Sequence, residues 1–219
     1  MKLYTYWRSI AAFRVRAALN LKGLHAQLLP LDIIKREQHS DEYRGLNPQL
    51  TVPTLIEDDG HRLVQSLAIL EYLEERYPDP PLLPRDIRAR AYVRGIALIL
   101  AGDSHPFVTP RVHRYLEGEL HVDAPAVAKW MLHWMTAGLQ TVESELTRAR
   151  YAAQCCCGDT PTIADLCLVP HVIALEQAPG FDFSPYPTAL AIVERCMSLD
   201  EFRSAAPQQQ PDAPLQSKG

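Results

Sequence analysis

Apolar and polar positions change over in short blocks along the first eighty residues. Lys2 to Tyr6 reads as a strand rich in aromatics. Residues 9–22 read as a helix with Phe13, Ala17 and Leu21 on one stripe and Arg14 and Arg16 off it. Gly23 closes that helix as a C-cap. Residues 26–31 form a second strand, and the polar stretch after it is loop with one irregular helix. Residues 53–57 and 62–65 read as two strands around the turn Asp58-Asp59-Gly60, and Ser66 is placed to N-cap the helix that follows. The order is β-α-β-α-β-β-α, a small α/β unit.

The texture changes at Pro78. The stretch YPDPPLLPRD carries four prolines and reads as a linker. Beyond it no segment has strand character. Residues 86–100 are apolar at helical spacing, and residues 124–149 form a long amphipathic stretch with Trp130, Leu132, Trp134 and Leu139. Thr162 to Asp165 is a capping box ahead of an apolar run, and residues 187–202 give one more helix. The expected domains are α/β over 1–80, a linker over 81–86, an all-α domain over 87–206 and a flexible tail over 207–219.

Composition narrows the classes. The chain has 219 residues, 47% hydrophobic and 22% charged, which provides a core and excludes a mostly disordered polymer. A net charge of -4 leaves no basic footprint for nucleic acid. No apolar run spans a bilayer and no secretory signal opens the chain, so the expected location is cytoplasmic. Cys155, Cys156 and Cys157 are consecutive, Cys167 and Cys196 stand alone, and no C-x-x-C pair marks a zinc or dithiol site; reduced thiols and no metal are expected. Arginine outnumbers lysine 17 to 5, which suits anionic ligands. The glycine-rich phosphate loops, the G-x-S-x-G elbow and H-E-x-x-H are all missing.

Three junctions can carry chemistry. Ser9 stands where strand gives way to helix, beside free helical N–H groups that favour an anion or thiolate; alternatively it serves only as the N-cap. Val52-Pro53 opens a strand, and a cis bond there turns the Val52 backbone toward an extended peptide; a trans proline at a strand start is equally ordinary. Gln65-Ser66 is a second strand-to-helix junction, offering N–H groups, a hydroxyl and an amide to a carboxylate, or a plain helix cap.

Taken together these features resemble a glutathione transferase. Trp7-Arg8-Ser9 followed by Phe13-Arg14-Val15-Arg16-Ala17-Ala18-Leu19 is similar to the zeta-class signature. Leu46-Asn47-Pro48, Val52-Pro53-Thr54-Leu55, Gln65 to Ile69, Gly158-Asp159, Ala164 to Pro170, Pro185-Tyr186-Pro187 and Gln210-Pro211-Asp212 fit the same class in order along the chain. The signature's second serine is Ile10 here and its cysteine is Ala11. The resemblance implies a thioredoxin-like N-terminal domain, a helical bundle after it, a homodimer and glutathione as cofactor. Apolar faces of the helices over 66–77 and 86–100 are the candidate dimer surface.

It also implies roles. Ser9 would hold the glutathione thiolate with the backbone of Ile10 and Ala11, Gln38 would reach the glycyl end, and Val52 with Pro53 would pair with the cysteinyl backbone. Gln65 and Ser66 would grip the γ-glutamyl carboxylate, and Asp103 and His105, in a loop-like stretch, would approach the tripeptide. Arg8 and Arg111 would hold a dianionic diketo acid and stabilise developing charge. A third arginine common in the family is missing from the stretch Ala174-Leu175-Glu176-Gln177; Arg114 lies near Arg111 in sequence. The implied reaction is cis–trans isomerisation of maleylacetoacetate or maleylpyruvate in aromatic catabolism, a thiolate making the double bond transiently single. The alternatives are a zeta-type transferase or dehalogenase consuming glutathione, and a binding protein without turnover.

Overall fold

The computed structural model describes residues 1–214. Along the chain run β1 (Lys2–Thr5), α1 (Ile10–Leu21), β2 (Gln27–Pro30), α2 (Asp41–Leu46), β3 (Thr54–Ile56), β4 (Arg62–Val64) and α3 (Ser66–Arg76). Then come α4 (Ile87–Leu98), α5 (Pro110–Gly118), α6 (Ala124–Arg148), α7 (Ile163–Leu175), α8 (Pro187–Met197) and α9 (Asp200–Arg203). The chain divides into two compact units. One holds Met1–Pro81 together with the residues from Ser198 onward; the other holds Leu82–Met197.

In the first unit the sheet order is β2-β1-β3-β4, with β1 and β2 parallel and the other pairs antiparallel. Tyr4 faces Thr54 and Thr54 faces Val64 across the ladders. The C-terminal ends of β1, β2 and β4 and the N-terminal end of β3 therefore share one edge of the sheet. Every loop named above as a candidate in this unit leaves from that edge.

Helix α1 is sealed at both ends by local chemistry. The Ser9 side chain accepts from Ala12 N–H at its start. At its end Gly23 takes φ +64, so that Leu24 N–H reaches Leu19 C=O and Gly23 N–H reaches Asn20 C=O, which is the left-handed glycine stop. Arg14 and Arg16, expected off the apolar stripe, are in fact buried at 1% and 3% exposure. The reason is that α1 is covered on several sides, by the sheet, by α3 and by α9, and these arginines find polar partners inside. Arg16 donates to Thr5 Oγ1, Tyr6 C=O, Trp7 C=O and Ala205 C=O.

The tail differs from expectation. Residues 207–214 are tied to the first unit: Gln210 is buried and donates to Ser204 C=O and Ala206 C=O at 2.9 Å each. Asp212 Oδ2 accepts from Trp7 N–H at 2.9 Å. The part of the expected tail over 215–219 lies outside the described residues. The linker is also less open than its prolines suggest, because Leu82 and Leu83 are buried and Leu82 C=O accepts from Ile163 N–H.

The second unit is helical throughout, apart from an isolated bridge between Ala152 and Gly158. Asp165, fully buried, accepts from Thr162 N–H and Thr162 Oγ1 to complete the capping box of α7, and from Cys156 N–H in the preceding loop. Glu143 on α6 accepts from Thr188 N–H and Ala189 N–H at the start of α8. The expected helix over 187–202 is two helices, broken at Ser198 and Leu199. Close approach is built in at Gly138 on α6, where an added Cβ would lie 2.7 Å from Ser104 Cβ. Gly138→Ala is accordingly expected to lower stability by about 1–3 kcal/mol through overpacking. Urea denaturation checks this, and an unchanged midpoint would show that Ser104 moves aside freely.

Candidate functional site

The β1–α1 junction is a three-residue loop, Tyr6-Trp7-Arg8, ending at Ser9. Ser9 N–H donates to Tyr6 C=O at 3.0 Å and Ser9 C=O accepts from Phe13 N–H, which closes the first turn. The Ser9 hydroxyl is the N-cap, as one of the two sequence readings has it. Accepting from Ala12 N–H leaves its own hydrogen to donate, so cap and thiolate donor are compatible roles. The N–H groups of Ile10 and Ala11 have no carbonyl behind them in the helix and point out of its N-terminus. Arg8 is exposed, its guanidinium 5.5 Å from the Trp7 ring centre. Burial lowers the Arg16 guanidinium to about 10, while the negative charge of Asp212 works the other way.

At the β3 entrance the Val52–Pro53 bond is cis, the condition under which the sequence reading turns Val52 outward. Pro53 is buried and Val52 half-buried. Two residues without an assigned role hold this turn. Tyr43 Oη donates to Thr51 C=O at 2.6 Å and sits 2.8 Å from Thr54 Oγ1, and Asn47 Nδ2 donates to the same two acceptors. Burial raises the Tyr43 phenol. Asn47 was visible in the Leu46-Asn47-Pro48 motif, but nothing local in the chain joins Tyr43 to Thr54.

The β4–α3 junction departs from its expectation. Gln65, not Ser66, is the N-cap of α3, and Ser66 is the first helical residue. Gln65 has φ +70 and ψ 116, a left-handed conformation worth about 1–3 kcal/mol of strain in a residue with a side chain. That geometry exposes the Gln65 amide, which donates to Gln49 Oε1 at 2.7 Å, and buries Ser66. Ser66 Oγ accepts from Arg14 Nη1 at 3.2 Å, so a buried cation on α1 braces the start of α3. Gln38 is buried in a 3-10 turn over Glu37–His39, with Nε2 facing Ile33 C=O at 3.4 Å and Oε1 without a hydrogen-bond partner among the described residues. The register brings Ser9, Val52-Pro53 and Gln65-Ser66 to adjacent positions on one sheet edge.

Asp103, His105 and Arg111 belong to the other unit. The stretch expected to be loop-like is helical: α4 continues into a π turn over Ile99–Ser104 and a 3-10 turn over His105–Val108. Asp103 is exposed there and His105 half-buried. Arg111 is exposed on the first turn of α5, a helix that the sequence reading did not name and none of whose residues is buried. Trp130 and Trp134 of α6 pack with Phe107, the Phe107 and Trp134 rings stacked at 4.3 Å. Glu176 ends α7, and burial raises its carboxyl.

All five cysteines are free thiols. Ligand atoms of Cys155, Asp165 and Cys196 lie within 4.8 Å of one another. Both Asp165 oxygens already accept hydrogen bonds from Cys156 and Thr162, and a hydrogen bond with Cys155 together with burial pushes the Cys196 thiol well up, so this cluster reads as the cap of α7. No helix among the described residues is long and apolar enough to cross a membrane.

Comparison with known proteins gives the family and the fold. Residues 3–81 match the glutathione S-transferase N-terminal domain. Maleylpyruvate isomerase of Ralstonia sp is 44% identical over 97% of this chain and 100% of its own. A solved bacterial zeta-class maleylpyruvate isomerase is 41% identical at a TM-score of 0.94, covering 98% of this chain and 100% of that one. Maleylacetoacetate isomerase of Anaeromyxobacter dehalogenans 2CP-1, solved with dicarboxyethyl glutathione and citrate in its active site, is 39% identical at a TM-score of 0.86, covering 97% of each chain. The chain belongs to the zeta-class glutathione S-transferases, among the maleylpyruvate and maleylacetoacetate isomerases.

Proposed function

We propose that the protein is a glutathione-dependent cis–trans isomerase of a maleyl diketo acid, maleylpyruvate or maleylacetoacetate. The observation that carries this reading is the convergence of the Ser9 hydroxyl, the Val52-Pro53 junction and a strained Gln65 on one sheet edge. That edge fits an extended γ-glutamyl peptide. Gln65 with the α3 N-terminus receives its carboxylate, the Val52 backbone pairs with its middle, and Ser9 with the Ile10 and Ala11 N–H groups meets its sulfur. Gln38, in this reading, serves the glycyl end from beneath. Bound glutathione supplies a thiolate nucleophile, whose reversible addition lets the double bond turn.

The protein's part is positioning and charge. The Ser9 O–H donates to the sulfur and keeps it ionised near neutral pH. Arg8, exposed, is assigned to a carboxylate of the substrate and to charge that develops on its keto oxygen. The dicarboxyethyl glutathione in the Anaeromyxobacter relative supports a dianionic substrate beside the sulfur. A homodimer and a cytoplasmic location complete the proposal, with the exposed Ile87 and Leu98 on α4 as candidate interface residues.

The stretch Ala174-Leu175-Glu176-Gln177, which lacks the arginine often found there in the family, favours a second reading: a transferase or dehalogenase of the same class that consumes glutathione. A paired assay separates them. Each maleyl diketo acid is incubated with and without glutathione, and loss of the cis substrate is followed beside free thiol. Turnover that needs glutathione and conserves thiol is expected. Loss of thiol with product would replace isomerase by transferase.

A further inference from the structure

The loop that delivers Ser9 is held from two sides by parts of the chain remote in sequence. Arg16 takes its carbonyls, Tyr6 C=O and Trp7 C=O, each at 3.3 Å. The Trp7 N–H goes to Asp212 Oδ2 at 2.9 Å, across 205 residues. The segment bearing Asp212 is itself fastened: Ala205 C=O accepts from Arg16 Nε at 3.0 Å, Gln210 clamps Ser204 and Ala206, and Ala213 N–H donates to Gln210 C=O at 3.0 Å. Asp212 Oδ1 is buried and has no hydrogen-bond partner among the described residues. An unsatisfied buried carboxylate oxygen is a cost that calls for a compensating role. Arg16, with neutral oxygens as its direct partners in this loop, gains a nearby counter-charge from Asp212.

We infer that Asp212 is a positioning residue for glutathione activation: through the Trp7 N–H it sets the Tyr6-Trp7-Arg8 loop, and so the direction in which Ser9 meets the sulfur. This rests on the proposed placement of the thiol at Ser9. A one-residue offset in a loop of three would turn the Ser9 O–H away from the sulfur while leaving the grip at Gln65 and Ser66 in place. The signature of the role is therefore a change in thiol ionisation without a matching change in tripeptide affinity.

The test is a titration of glutathione bound to the full chain, following thiolate ultraviolet absorbance against pH, with affinity measured by calorimetry. Asp212→Ala is expected to raise the bound thiol by about one pH unit, a tenfold smaller ionisation constant, with affinity changed less than about threefold. Asp212→Asn keeps an oxygen for the Trp7 N–H and should titrate within about 0.3 unit of the native protein. If Asp212→Ala does not fold, Asp212→Glu, which offers the acceptor one methylene further out, should give a smaller rise in the same direction. A native titration curve for Asp212→Ala, or for Asp212→Glu in its place, would overturn the inference, even with a lowered melting temperature, since that is what a merely structural tether predicts. The isomerase assay is read separately: native titration without turnover would sink the isomerase reading and leave this one standing, and native protein that binds no glutathione would sink both.

Discussion

Ser9→Ala is expected to lower the isomerase rate at neutral pH by about 10–100-fold, the kinetic equivalent of one charge-assisted hydrogen bond of about 1.5–3 kcal/mol. In the proposed placement the hydroxyl donates to the charged form of the sulfur, which would hold the bound thiol below its ordinary value near 8.5. Without it the thiol ionises at higher pH. The acid limb of the rate profile should move up, and the deficit should shrink as pH rises past the free thiol's own ionisation. Ser9 also caps α1, and losing the cap costs about 0.5–2 kcal/mol of stability. The two effects separate cleanly, because a cap defect lowers the melting temperature without moving the pH profile. A native rate at neutral pH would remove Ser9 from the thiolate's support.

The second large effect is on stability. Lys22 follows α1, and its ammonium is fully buried. It donates to Glu74 Oε2 at 2.8 Å, Tyr77 C=O at 2.6 Å and Pro80 C=O at 2.7 Å. One cation thus fastens the end of α3 and the chain leaving the first unit. Lys22→Met is expected to cost about 3–5 kcal/mol, since it leaves a buried carboxylate and two carbonyls without their shared donor. Equilibrium urea unfolding measures it. The double variant Lys22→Met with Glu74→Leu should recover part of the loss, because the carboxylate that Lys22 served is removed with it. A single-variant loss under about 1 kcal/mol would mean that water reaches the site.

Much of this was legible in the chain. Strand alternation, the Gly23 stop and the Thr162–Asp165 capping box are local signals, and each local signal has its counterpart in the structure. The Ser9 junction was legible for the same reason. What local patterning could not show is how polar residues are satisfied from afar. Arg14 and Arg16 break the apolar stripe of α1, yet their partners are Ser66 and Ala205, 52 and 189 residues on. Ser66 looked like a cap because serine usually caps; the left-handed Gln65 displaced the helix start by one residue. The stretch over 99–108 contains Gly102, Asp103 and Pro106, which punctuate like a loop, but Ser104 donates to Trp134 C=O and Trp130 donates to Phe107 C=O, so contact with α6 holds it helical. Helix α5 has no buried residue, and its apolar positions Val112, Tyr115 and Leu116, though at helical spacing, are too few in a short polar stretch to have been read as a helix.

The first unit is discontinuous: its chain departs at Pro81 and returns at Ser198. During synthesis at a ribosome the sheet can assemble early, but the Arg16–Ala205 and Trp7–Asp212 bonds wait for the whole helical unit to be translated. A nascent chain would hold its tripeptide-binding edge before it holds the loop that aims at the sulfur. Competence to bind and competence to activate would arise in that order, and a fragment cut after Pro81 would stop at the first.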